Sequence, residues 1–380
     1  MEHLSPFYFG KTSPNDNFYN RTADLAKLKG NFINKINTIL ISPRRWGKSS
    51  LVKKCVATTS SSKIKIVQLD LFSIRDEADF YNTLATQVIK ATCNKLEEWM
   101  SLAKQFLKNI TPKISVGGDN IHEFEITFEY SSIEKNYKEL LNLAEKIAIQ
   151  KNISIVICID EFQNLMYFKE PELFQKRLRT EWQHHTKVTY CLYGSMQHTM
   201  TVLFTKQSKA FYKFGEVFFL QKIERHHWVA YIIQQFAKTN KIISEAQAYT
   251  IAELVQDNSY YVQQLSHLVW VISAKKVTAV NITSALNSLL NQNALLYQRD
   301  TENLSNVQYN YLKAVANNIH NKLSSVVIMQ QYQLGTSANV LKIKKALIDK
   351  ELIDERMGSV YFTDPCYRLW FRQCILNIKQ

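Results

Sequence analysis

The stretch ILISPRRWGKSSLVKK, Ile39 to Lys54, constrains this chain more than any other. A short apolar strand, Thr38 to Ile41, runs into a tight polar loop that ends Gly47-Lys48-Ser49-Ser50 and opens a helix. Strand, loop and helix in that order are the layout of a phosphate-binding loop. Backbone N–H groups at the helix N-terminus surround phosphate oxygens, a lysine reaches the β and γ oxygens, and a hydroxyl holds Mg2+. The pattern G-x-x-x-x-G-K-[ST] asks for glycine at position 42, where this chain has Ser42. Pro43 follows and fixes a turn there.

A second motif belongs to the same chemistry. ISIVICIDEF, Ile153 to Phe162, is an apolar strand ending in two acids. A parallel strand places its C-terminal end at the ligand crevice of the sheet, where Asp160 can hold the water shell of Mg2+ and Glu161 can polarise an attacking water. Two solvated acids capping a core strand would look the same in isolation; the coincidence with Gly47-Lys48-Ser49 argues for nucleotide binding. The strand VTYCLYG ends at Gly194, and Ser195 just beyond it is a polar group at the same edge. Plain turn chemistry also explains a Gly-Ser pair, so Ser195 gains meaning only from the other two motifs.

Strands and helices alternate around these motifs. After the loop helix comes IKIVQLDLF, a strand ending near Asp70, then a helix from Asp76 to about Leu107. Pro112 to Tyr130 alternates apolar and polar residues about Gly117-Gly118-Asp119, a hairpin signal that interrupts the rhythm and reads as an insertion over about 108–132. A helix from Ile133 to Gln150 leads to the Asp160 strand. Helices then flank VTYCLYG, and VFFL, Val217 to Leu220, closes the series. Five strands separated by helices imply an α/β fold with a parallel sheet covered on both faces. From Glu224 to about Tyr297 the pattern is wholly helical. The last 80 residues read helix, helix, turn at Gly335-Thr336, helix, and two short strands about Gly358, the order of a winged helix-turn-helix. The division expected is 1–222 for the nucleotide core, 223–300 for a helical lid and 301–380 for the winged helix.

Composition excludes some classes. With 46% apolar and 21% charged residues the chain reads as globular. No apolar run approaches the roughly 18 residues of a membrane span, and the N-terminus MEHLSPFYFG lacks a signal-peptide apolar region. The six cysteines show no metal-type spacing and suit a reducing compartment, which makes the cytoplasm the expected location. A net charge of +14 favours polyanionic partners, phosphate or nucleic acid.

The order PRRWGKSS, CIDEF, LYGS, helical segment, winged helix resembles the P-loop ATPases of the AAA+/STAND group, and in particular the archaeal-type ATPase family that also occurs in bacteria. FYNRTADLAKL, Phe18 to Leu28, is similar to that family's upstream motif and implies that Asn20 and Arg21 lie near an adenine. DEFQNL resembles its extended Walker B motif, and Asp364-Pro365 with Leu369-Trp370-Phe371 its C-terminal signature. The resemblance implies an AAA+-like sheet with the Ser195 strand between the phosphate-loop and Asp160 strands. It implies ATP and Mg2+ as cofactors. Pro43, Arg44, Arg45, Trp46, Gly47, Lys48, Ser49 and Ser50 would line the nucleotide, with the backbone amides from Arg45 to Ser50 forming the phosphate nest. Lys48 would contact the β and γ phosphates, Ser49 and Asp160 serve the metal, Glu161 act as base and Ser195 as sensor.

Departures from the family pattern bear on rate. Between Ser195 and Val217, where AAA+ enzymes carry an arginine finger, only Lys206, Lys209 and Lys213 occur; a finger supplies roughly 10³–10⁵ in rate, so hydrolysis is expected to be slow. Arg177 and Arg179 are weak substitutes that read better as a solvated helical face. In DNSYYVQQL, Asp257 to Leu265, Ser259 stands where the family tends to have proline.

On the last helix Val340, Ile343 and Leu347 form a core stripe, while Lys342, Lys344 and Lys345 could reach DNA phosphates and Ser337 or Asn339 a base. Residues 301–380 carry 10 Lys+Arg against 6 Asp+Glu, too small an excess to decide between DNA and protein, since winged helices serve both. The leading expectation is a slow ATPase acting as a nucleotide-driven switch or motor on a macromolecular partner, by self-association or through another protein. The alternative is a DNA-binding protein whose ATP is regulatory or structural. A small-molecule kinase fits less well, because the helical segment is too long for an acceptor flap.

Overall fold

The structure is a computed structural model and describes residues 4–10, 19–93, 98, 101–102, 105–107, 109–110, 113–116, 124–356 and 358–378. Five strands form one parallel sheet: β1 (Thr38–Ile41), β2 (Ile64–Asp70), β5 (Ser154–Asp160), β6 (Val188–Gly194) and β7 (Glu216–Phe219). Their spatial order is β2-β5-β6-β1-β7. Every residue of β1 and β6 is buried, which is why these strands read as continuous apolar runs instead of alternating ones. β6 lies between β1 and β5, as the resemblance implied. Its register, Ile159 opposite Leu192 and Ile41 opposite Gly194, brings the three strand ends to one edge of the sheet.

The chain divides into two compact units, one of residues Arg21–Arg44 and Lys48–Leu220, the other of Met1–Asn20, Arg45–Gly47 and Gln221–Gln380. In the first, helix α1 (Thr22–Ile33) is tied to the sheet by Asn31, whose Nδ2 donates to Thr38 Oγ1 at 3.0 Å and Glu216 Oε2 at 2.8 Å. Helix α2 (Lys48–Thr59) follows β1. Helix α3 is shorter than the sequence suggested. It runs Glu77–Thr92, capped by Asp76, and is interrupted at Cys93, which adopts extended backbone angles; the described residues 98, 101–102 and 105–106 of the expected stretch are again helical. The helix expected over 133–150 is two, Tyr130–Leu141 and Leu143–Gln150, separated at Asn142. Between α3 and these helices β3 (Lys113–Val116) and β4 (Phe124–Thr127) pair antiparallel, Val116 opposite Phe124. The expected turn at Gly117-Gly118-Asp119 lies outside the described residues.

Glu145, only 8% exposed, fixes the start of β6. Its carboxylate accepts from the Thr186 amide and hydroxyl at 2.8 Å each and from the amides of Lys187 and Val188 at 3.0 Å. Burial opposes the charge, but these donors outweigh it and hold the carboxyl below its ordinary value.

The second unit is helical: Arg225–Ala237, Glu245–Leu254, Ser259–Ile272 and Ala279–Glu302 precede the winged-helix elements Asn306–Ala316, Val326–Gln331 and Ser337–Asp349. Ser244, Thr278 and Ser305 each close a capping box. The antiparallel pair β8 (Ile353–Arg356) and β9 (Ser359–Phe362) completes the wing. Val340, Ile343 and Leu347 are buried, as their spacing predicts. Phe7 joins this unit's core, its ring 5.5 Å from that of Phe236, and Tyr19 lies 4.6 Å from Tyr231. No helix among the described residues is long and apolar enough to cross a membrane.

Candidate nucleotide site

The β1–α2 loop takes its shape from backbone conformation. Arg45 at φ +67° and Gly47 at φ +89° are left-handed, an alternation that turns successive N–H groups toward a common point, as an anion-binding nest requires. A Cβ on Gly47 would meet nothing within 4 Å, so glycine is needed there for its backbone angle and not for space. Ser42 is fully buried, with its hydroxyl on the Pro43 carbonyl at 3.1 Å.

In the unit that carries the sheet, Lys48 and Ser49 meet the acids at the end of β5. Lys48 Nζ donates to Asp160 Oδ1 at 3.1 Å and lies 3.6 Å from Glu161 Oε1 and 5.3 Å above the Tyr193 ring. Ser49 Oγ donates to Asp160 Oδ2 at 3.1 Å, while the Glu161 amide donates to Oδ1. Ser195 binds the second acid: its hydroxyl donates to Glu161 Oε2 at 2.9 Å and its amide to the same oxygen at 3.3 Å. Gln163 Nε2 donates to that oxygen as well. Arg44 Nε donates to Ser195 Oγ at 3.4 Å. Sequence reasoning named Lys48, Ser49, Asp160, Glu161 and Ser195 individually, and the fold gathers all five.

The neighbouring acids are pushed apart. Burial raises the Asp160 carboxyl above its ordinary value against the pull of Lys48 and the Glu161 amide. Burial acts on Glu161 too, but Lys48, Gln163 and Ser195 outweigh it and hold it low. A hydroxyl and a carboxylate 3.1 Å apart are the hard oxygen donors Mg2+ prefers, and it keeps water for its other positions. A lysine between two acids is suited to a polyphosphate. The residues present fit Mg-ATP.

The remaining predicted residues sit as follows. Arg21, 6% exposed, donates to Asp24 Oδ2 at 3.0 Å, and Asn20 has a left-handed φ of +47°. In the other unit Arg45 NH1 donates to Tyr261 OH at 2.6 Å and lies 3.5 Å from Asp364 Oδ2, its guanidinium 4.7 Å over the Tyr260 ring. Trp46 is buried with Lys222 Nζ 5.5 Å over its ring. Ser50 begins the helix with Lys48 and Ser49. Arg177 pairs with Glu77 at 3.0 Å and Arg179 covers the Phe214 ring at 5.0 Å, both roles in the fold. Sequence reasoning missed Gln163 as a partner of Glu161. Its only signal was a polar residue two positions beyond the acid, which reads equally well as surface.

Fold comparison places this geometry. A Walker-type ATPase of Pyrococcus abyssi superposes with a TM-score of 0.68 at 14% identity, over 97% of this chain and 99% of that one. This is the fold of a P-loop NTPase. The ORC2 protein of Aeropyrum pernix, solved in ADPNP and ADP complexes, superposes with a TM-score of 0.56 at 11% identity, covering 97% and 99% of the two chains. A family profile described as "probable winged helix domain" matches residues 295–373, so the P-loop fold is followed by a C-terminal winged helix. No curated protein matches the sequence.

Proposed function

We propose that this chain is a slow, Mg-dependent ATPase that acts as a nucleotide-driven switch or motor on a macromolecular partner. One observation carries the reading: Lys48, Ser49, Asp160, Glu161 and Ser195 converge where β1, β5 and β6 end. Lys48 would bind the β and γ phosphate oxygens, and the nest about Arg45 and Gly47 the rest of the chain of phosphates. Ser49 and Asp160 would hold Mg2+, which when bound neutralises charge on the β and γ oxygens. Glu161, kept anionic, would accept the proton of the attacking water, and Ser195 would orient the Glu161 carboxylate. Asn20 and Arg21 are proposed for the base. Slow turnover is supported by the character of Lys209 and Arg177, each engaged with an acid of its own unit.

The test is Mg-dependent phosphate release by the wild type, Lys48→Ala and Glu161→Gln. Lys48→Ala is expected to abolish nucleotide binding, and Glu161→Gln to retain binding while turnover falls about 10²-fold or more. Turnover unchanged in Glu161→Gln would remove the base assignment. A pure binding module would show tight ATP and no release from the wild type.

For the partner, residues 223–300 and 301–380 are the segments we assign to lid and winged helix, and we propose that the winged helix meets it. Base-specific DNA reading is disfavoured by local engagement. Asn339 Nδ2 donates to the Leu334 carbonyl at 2.9 Å, Ser337 turns to Met329, and Lys344 pairs with Glu355 at 2.9 Å. A cytoplasmic setting is supported by six free cysteines.

A further inference from the structure

Glu161 stands at φ +49°, a left-handed conformation uncommon for L side chains. The turn reverses the chain, and residue 163, the second of the 3₁₀ turn Phe162–Tyr167, points back at the acid it follows. Gln163 is 2% exposed, and its amide is satisfied on one side only. The nitrogen donates to Glu161 Oε2, while the oxygen has no hydrogen-bond partner among the described residues. That oxygen presses on Gly194, where a Cβ would lie 2.0 Å from it. Gly194 is not left-handed, so space and not backbone angle demands glycine there.

An orphaned buried carbonyl is unfavourable. An apolar side chain of the same length, such as methionine, would fill this volume without one. Reversing the amide would set its oxygen against the carboxylate, so the donor is aimed at Glu161 by necessity. With Ser195 Oγ at 2.9 Å and the Ser195 amide at 3.3 Å, Oε2 receives three donors, and Lys48 faces Oε1 at 3.6 Å. Both oxygens are thereby fixed in direction.

We infer that Gln163 is a positioning residue of the site beside Ser195: it pins the Glu161 carboxylate against Ser195, and residue 194 is glycine because the Gln163 amide occupies the space its side chain would take. The inference rests on the reading of Glu161 as the base. Positioning errors of an ångström cost about 10²-fold in rate without weakening substrate binding. In the full-length chain, Gln163→Met (same length, no donor) and Gln163→Glu (same shape, an acceptor in place of the donor) should therefore lower kcat about 10- to 100-fold with KM within about threefold of wild type.

Gly194→Ala should act through the same amide. Its Cβ displaces Gln163, since the other close neighbour, Met200 Sδ at 2.9 Å, is the flexible end of a side chain. Gln163→Ala with Gly194→Ala should then have the kcat of Gln163→Ala alone. Wild-type kcat in Gln163→Met and Gln163→Glu, or a KM rise in place of the kcat loss, overturns the inference. So do additive losses in the double variant. Where Gly194→Ala fails to fold, the two position-163 variants decide. A wild type that binds ATP without hydrolysing it removes the base reading and this inference together, and one that binds no ATP removes the proposed function itself.

Discussion

Ser42 and Gly47 mark the two ends of the phosphate loop, and different physics governs them. Ser42 is buried, not left-handed, and bonded to the Pro43 carbonyl. Its backbone asks nothing only glycine can supply, so Ser42→Gly should leave ATP affinity within about threefold of wild type in a titration. A Cβ on Gly47 would meet nothing within 4 Å, yet the residue stands at φ +89°. Gly47→Ala should cost roughly 1–2 kcal/mol in thermal unfolding and weaken ATP binding as the nest opens. The sequence pattern weighted the two positions alike. Only the backbone angles separate them. Gln163 was illegible for a related reason: its role depends on Gly194 and Ser195, which are adjacent to it in space and distant in sequence.

Among elements, the central strands were the most readable, because a parallel strand buried on both faces must be an apolar run. Helix ends were the least. Nothing in the composition around Cys93 announces that the backbone turns extended there, and Asn142 looks like any polar helical residue until its break between two helices is seen. Glu145 shows the same blindness from the other side, a helical acid that reads as solvated but is the anchor of β6. Glu145→Gln should lower stability by roughly 1.5–3 kcal/mol at neutral pH, the usual loss for hydrogen bonds to a charged group. Because the folded carboxyl lies below its ordinary value of 4.5, its contribution is complete above that pH and fades as pH falls further through the folded value. Denaturant titrations of wild type and variant should therefore begin to converge as pH falls below about 4.5. A constant gap would mean that shape and not charge is what Glu145 supplies.

At the scale of the molecule, the +14 charge and the winged helix pull the reading toward nucleic acid, and the last helix pulls it back. Lys342 and Lys345 are exposed, whereas the polar residues that would read bases are engaged locally. DNA retention on a gel is therefore expected only at low salt and without preference among sequences, falling by orders of magnitude toward about 200 mM salt. Sequence-selective retention at that salt would contradict the arrangement of Asn339 and Ser337.

The chain passes between its two units four times, at residues 20–21, 44–45, 47–48 and 220–221. A gene cut at codon 221 is the natural first attempt to separate nucleotide chemistry from partner recognition, and it would sever more than a linker. The downstream piece would lose Phe7 from beside Tyr231 and Phe236, the Tyr19 ring and its hydroxyl on the His227 carbonyl, and the Ser5 contact to His267. Loss of Phe7 alone removes roughly 1.5–3 kcal/mol of apolar burial. Residues 221–380 expressed alone should melt earlier than the same segment carrying residues 4–20 on a flexible tether, and a synthetic peptide of residues 4–20 added in trans should recover part of the difference.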